Sequence, residues 1–133
     1  MYLPQGFAVV TPYLFVDGAE QYIGFLSTAF GAQEIGRTTA PNGRIANSQM
    51  QFSGTSIMLS EASEAFPATR AAHYLYVADA EAAMKQAEEA GAARIMDVAD
   101  MPYGDRQGGV RDPAGNIWWI SQRLTADPYF DPA

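Results

Sequence analysis

Apolar and polar positions along the 133-residue chain follow two periods, and the order in which those periods alternate occurs twice. Residues 7–16 alternate and are rich in Val, Tyr and Phe, which predicts a strand; Pro12, lacking an N–H, restricts that strand to a sheet edge or a bulge. Over residues 19–30 the apolar Tyr22, Ile23, Phe25, Leu26 and Phe30 recur at helical spacing, and Gly31 ends the run as a C-cap. Three strands are expected next, at 33–39, 44–52 and 56–61, separated by turns at Pro41-Asn42-Gly43 and Ser53-Gly54. The first half reads βαβββ.

The second half repeats that order. A strand at 72–77 precedes a helix at 80–90, whose Glu81, Lys85, Glu88 and Glu89 mark a solvated face and which stops at Gly91. Strands near 93–98, 106–111 and 116–122 complete it, with Asp112-Pro113-Ala114-Gly115 as the last hairpin turn. Residues coincide as well as periods: Tyr13-Leu14-Phe15-Val16, Ala19-Glu20 and Gly54 return sixty-one residues later as Tyr74-Leu75-Tyr76-Val77, Ala80-Glu81 and Gly115. One module has been used twice. The expectation is a single domain over residues 1–133, with module one at about 7–61, a periodless linker at 62–70, module two at about 71–123 and a proline-broken tail at 124–133. A module that cannot cover its own sheet face packs against its copy, so the concavity the two sheets make together is the expected binding site.

Charge and cysteine content narrow the partners. Eight Lys and Arg against fifteen Asp and Glu give a net charge of −7, which disfavours a nucleic-acid backbone or an anionic membrane surface and favours a cationic ligand. The absence of cysteine excludes disulfides, thiolate nucleophiles and zinc–cysteine sites, and fits a reducing compartment, the cytoplasm. No run of eighteen apolar residues occurs, and Met1 to Val10 is broken by Pro4 and Gly6, so a soluble, unprocessed protein is expected.

The paired modules, together with Gly104-Asp105-Arg106-x-Gly108-x-x-Arg111-Asp112-Pro113-x-Gly115-Asn116-x-Trp118, resemble the glyoxalase/bleomycin-resistance/dioxygenase superfamily, also called vicinal oxygen chelate proteins, over about residues 7–123. Thr11-Pro12-Tyr13 through Ala29-Phe30-Gly31-Ala32 is similar to its PhnB-like branch. The resemblance implies an α+β fold in which two tandem βαβββ modules form a curved, cleft-bearing mixed sheet. It also implies a place to look for a divalent metal, which enzymes of the superfamily hold with four side chains from the first and last strands of both modules. Here those places fall on Thr11 and Ala72, five residues before Val16 and Val77, and on Met58 and Trp119, four after Gly54 and Gly115. None suits a catalytic metal, so neither a metal nor another cofactor is expected. The single histidine, His73, is one residue out of place and should point at the helix layer unless a bulge shifts the register.

Alternation that turns Thr11 and Ala72 into the concavity also turns Tyr13, Phe15, Tyr74 and Tyr76 there, with Met58 and Trp119 facing them. Such a wall holds a flat or cationic ligand by stacking and ring-quadrupole attraction, or else is a closed aromatic core. Three phenol groups on one face favour a wet cleft. At the rim, Asn47 and Gln49 offer amides beside Gln51, and Tyr103 and Arg106 open the seventh strand. Arg106 either binds a ligand carboxylate or pairs with Asp105 or Asp112, and Glu61 either meets a cation or is an exposed strand end. The resemblance, with these residues, implies a metal-free binder of the bleomycin-resistance type that sequesters an aromatic or cationic small molecule such as an antibiotic, as a homodimer. The alternatives are a glyoxalase-like lyase or isomerase with a displaced metal site drawn from His73, Glu61 or Gln49, and a structural domain that binds nothing.

Overall fold

The computed structural model describes residues 1–131. By its internal contacts the chain divides into two compact units, one ending at Ala71 and one starting at Ala72. The first holds β1 (Tyr13–Val16), α1 (Ala19–Phe30), β2 (Gln33–Thr39), β3 (Ile45–Phe52) and β4 (Thr55–Glu61). The second holds β5 (Ala72–Tyr76), α2 (Ala80–Glu89), β6 (Ala93–Asp100), β7 (Asp105–Arg111) and β8 (Ile117–Arg123). Both are βαβββ, with sheet orders β1-β4-β3-β2 and β5-β8-β7-β6. The first strand of each runs parallel to the last, and the remaining pairs are antiparallel.

Each helix covers one face of its own sheet. In the first unit Leu14, Val16, Met50 and Leu59 are buried together with Tyr22, Ile23 and Leu26 of α1. In the second, Val110 and Ile120 bury with Ala80, Met84 and Ala87 of α2. The small residues of α2 bring it near the sheet: a β-carbon on Gly108 would stand 2.8 Å from Met84 Sδ. The α1 run ends as its sequence indicates, with Gly31 at φ 68° and its N–H on Ser27 O at 2.9 Å.

Helix starts are fixed by the last strand of the same unit. Glu61 Oε2 and Oε1 accept the backbone N–H groups of Gly18 and Ala19, both at 2.9 Å, and so satisfy two open donors of α1. In the second unit Gln122 Oε1 accepts from Ala80 N at 3.0 Å, and Asp79 Oδ1 from Ala82 N at 3.1 Å. Glu61 and Gln122 hold the same place in the two modules. The readings of Glu61 as an exposed strand end or a cation ligand are corrected accordingly: it is half-buried, and both its oxygens cap a helix.

The expected first strand at 7–16 is cut to four residues. Thr11 Oγ1 donates to Ala8 O at 2.8 Å and Phe7 N to Pro4 O at 3.2 Å, so the chain before Pro12 closes on itself in turns. Pairing with β4 begins at Tyr13↔Met58, the first residue beyond the missing proline N–H. The segment 62–70, expected as a linker, is tied to β1. Ala62 N donates to Val16 O at 2.8 Å and Thr69 N to Phe15 O at 2.9 Å, and the Phe66 ring stacks on Phe15 at 5.4 Å. In this way it follows the open edge of β1. Among the described residues no helix is long and apolar enough to cross a membrane.

Candidate functional site

Register places the aromatic residues on the sheet faces turned away from the helices. In the first unit Tyr13, Met58 and Gln49 are successive cross-strand partners, and Asn47 lies two residues from Gln49 on the same face. The Tyr13 and Phe15 rings sit 5.1 Å apart, and Gln49 Nε2 donates to Asn47 Oδ1 at 3.3 Å. Tyr13, Phe15, Asn47, Gln49 and Met58 thus share one face. Glu61 is elsewhere, at the start of α1.

In the second unit Tyr74 pairs with Trp119, which pairs with Gly109; Tyr76 pairs with Ser121, which pairs with Gln107. Tyr74, Tyr76 and Tyr103, with Tyr129 and Phe130 from the tail, line an open basin of about 410 Å³. Trp119 shares their face, yet its ring lies over Gly109, where an added β-carbon would stand 2.6 Å from Trp119 Cζ3. It is not among the basin's lining residues. His73 points the other way, as alternation requires: its ring lies 4.3 Å from that of Trp118, which is buried. His73 Nε2 finds no hydrogen-bond partner among the described residues. Burial pushes its pKa down, with Asp112 partly opposing.

Arg106 is also on the helix side. It pairs with Asp100 at 2.7 Å, which corrects the expected partners Asp105 and Asp112. The reason is again alternation, which sends the Asp105 side chain to the opposite face. Asp112 is taken up by its own turn, accepting from Ala114 N and Asn116 N, both at 2.9 Å, and from Trp118 Nε1 at 2.8 Å.

Asp105 is the anchor of the basin. It is fully buried, its Oδ1 is 2.9 Å from Arg123 Nη1, and its Oδ2 accepts from the hydroxyls of Tyr74 and, at 2.7 Å, Tyr129. Burial alone would raise the carboxyl pKa, but the hydrogen bonds from Tyr74, Arg123 and Tyr129 outweigh it and hold the group below the usual range. Desolvation and the same carboxylate hold the Tyr74 phenol above its ordinary value. Gly104 makes the approach possible. Its φ is 92°, and a β-carbon there would meet Arg123 Nη1 at 2.9 Å.

The tail is clipped onto this group. Arg123 Nη2 donates to Asp127 O at 2.7 Å, its guanidinium lies 4.1 Å from the Tyr129 ring centre, and the Tyr76 and Tyr129 hydroxyls are 2.5 Å apart. Tyr76 occupies in module two the place of Phe15 in module one, so in each unit the segment leaving the last strand returns an aromatic ring to that position. Asp105, Gln107, Ser121, Arg123, Tyr129 and Phe130 were absent from the sequence-based set. The alternation of β7 and β8 holds the signal for the first four, while two aromatic residues in a proline-broken tail are the only signal for the others.

Comparison with known proteins agrees with this architecture. Two crystal structures share the fold: TioX from Micromonospora sp. ML1, 24% identical with a TM-score of 0.70 over 86% of this chain and 96% of its own, and TnmS3, an antibiotic binding protein from Streptomyces sp. CB03234, 21% identical with a TM-score of 0.70 over 92% and 97%. Protein Mb0911c of Mycobacterium bovis is 31% identical over 124 residues, covering 85% of this chain and 82% of its own. Residues 6–120 match the sequence profile of one family, and the chain belongs to it: the Glyoxalase/Bleomycin resistance protein/Dioxygenase superfamily.

Proposed function

We propose that the chain is a small-molecule binding protein of the bleomycin-resistance type, which sequesters a flat aromatic or cationic ligand such as an antibiotic without a metal. The observation that carries this reading is the basin of about 410 Å³ lined by four tyrosines and a phenylalanine in a protein of net charge −7. Stacking and ring-quadrupole attraction give each such contact about 0.5–2 kcal/mol when desolvated. The fold shared with TnmS3, an antibiotic binding protein, supports it.

The superfamily's metal positions do not fit a divalent ion. Thr11 gives its hydroxyl to Ala8 O, Met58 offers only a thioether, and Ala72 and Trp119 offer no ligand atom. Glu61, one candidate for a displaced site, has both oxygens on the α1 backbone.

A thermal-shift screen of flat aromatic amines and aromatic antibiotics tests the binder, since a ligand that binds the folded state stabilises it by mass action. At least one compound should raise the melting temperature in proportion to the logarithm of its concentration; silence across the set refutes sequestration. Elemental analysis after expression in metal-supplemented medium should find no stoichiometric metal. One equivalent per chain, lost in His73→Ala, would favour a lyase or isomerase. The protein is further proposed to be a homodimer, which light scattering near 28.8 kDa, twice the 14.4 kDa chain, checks.

A further inference from the structure

One group fixes the hydrogen-bond directions of three of the basin's four phenols. The Asp105 carboxylate is ionised and only accepts, so the single proton of Tyr74 and that of Tyr129 both go to it. With the Tyr129 proton so placed, the 2.5 Å contact between the Tyr76 and Tyr129 hydroxyls has one solution: Tyr76 donates and Tyr129 accepts. Tyr103 donates to Gln107 Oε1 at 2.5 Å, and Gln107 Nε2 in turn to Ser121 Oγ at 2.6 Å. Every phenol proton of the basin is therefore directed into the protein. The Arg123 guanidinium, the nearby cation, is turned to Asp105 Oδ1, Tyr103 O and Asp127 O, beneath the Tyr129 ring. What faces the cavity is ring surface and phenol lone pairs.

From this we infer that the basin, walled on one side by Tyr129 and Phe130 of the chain's own tail, selects ligands that bring hydrogen-bond donors or a positive charge on a flat ring, and rejects anionic ones. An anion entering it meets acceptors and the negative faces of aromatic rings, with no proton to receive. A ring ammonium or amidine meets lone pairs and aromatic ring surface instead. The tail makes the site. Tyr129 and Phe130 supply two of its five walls, although they are exposed to 42% and 87%.

This inference rests on the binder reading, and the test separates the two. Two probes on one ring system, 9-aminoacridine and acridine-9-carboxylate, are titrated by equilibrium dialysis against the full chain at pH 7. The amine should bind at least about tenfold more tightly than the carboxylate, and Tyr129→Ala and Phe130→Ala should each weaken it by about tenfold or more. Phe130 is exposed, and Asp105 keeps Tyr74 and Arg123 when Tyr129 is removed, so both variants are expected to fold, which their melting curves check. Equal or tighter binding of the carboxylate overturns the inference. So does amine binding unchanged in both tail variants, an outcome that leaves a binder with its site elsewhere. Absence of binding by either probe overturns it too, and the binder reading falls with it only if the wider thermal-shift screen is silent.

Discussion

The indole of Trp119 lies on the backbone of Gly109, its cross-strand partner, so closely that a β-carbon at 109 would stand 2.6 Å from Cζ3 and 2.8 Å from Cε3. Glycine at this position lets the ring lie along the sheet, and the ring's position leaves the basin to the tyrosines. Gly109→Ala should therefore cost about 1–3 kcal/mol, the usual range for overpacking, despite the better strand propensity of alanine. Urea denaturation measures the loss, and the Trp119 contribution to fluorescence should change with it. A variant as stable as the wild type would mean that the indole moves aside freely.

Capping offers a comparison inside one molecule, because Glu61 and Gln122 do the same work sixty-one residues apart. Glu61→Ala removes two charge-assisted hydrogen bonds from the start of α1 and should destabilise by about 1–2 kcal/mol. Gln122→Ala removes one neutral bond and should cost about half as much. Equal losses would show that charge at the helix terminus adds nothing here.

Asp105 ties stability to acid pH. Its folded pKa is lowered, so its contribution is complete above the unfolded value of about 4 and is lost as pH falls through the folded one. Asp105→Asn should destabilise the protein at neutral pH by about 1–3 kcal/mol, since Arg123 and two phenols lose their carboxylate. The variant should also show a shallower decline between pH 5 and 3. Denaturation curves at several pH values read both effects, and parallel declines would exclude Asp105 as the group responsible.

His73 acts in the next window up. Burial lowers its folded pKa, so the unfolded chain takes the proton first, and stability falls as pH drops below about 6.5 toward the folded value. As the only histidine, it gives a single ring resonance whose titration midpoint should lie below 6.5. His73→Phe keeps a ring against Trp118, removes the unpartnered Nε2, and should flatten stability between pH 7 and 5. A midpoint at or above 6.5 would contradict this packing.

The duplicated βαβββ order, both helices and the outward face of Tyr13, Phe15, Tyr74 and Tyr76 are legible in the sequence, because periods of 3.6 and 2 and glycine stops are local properties of the chain. Alternation is also enough to send His73 away from that face and to place Trp118 and Trp119 on opposite sides. Partner choice lies beyond it. Alternation keeps Arg106 from Asp105, but what sets Asp100 opposite it is the register of β6 and β7, interrupted between Met96 and Ala99. Glu61 caps a helix because the end of β4 runs beside the start of α1, a relation between segments more than forty residues apart. The tail is the clearest case. Nothing in Asp127, Tyr129 or Phe130 names a destination, since a proline-broken segment has no period; the tertiary structure decided it by burying Asp105, whose charge needs hydrogen-bond donors that only Arg123, Tyr74 and the returning Tyr129 supply.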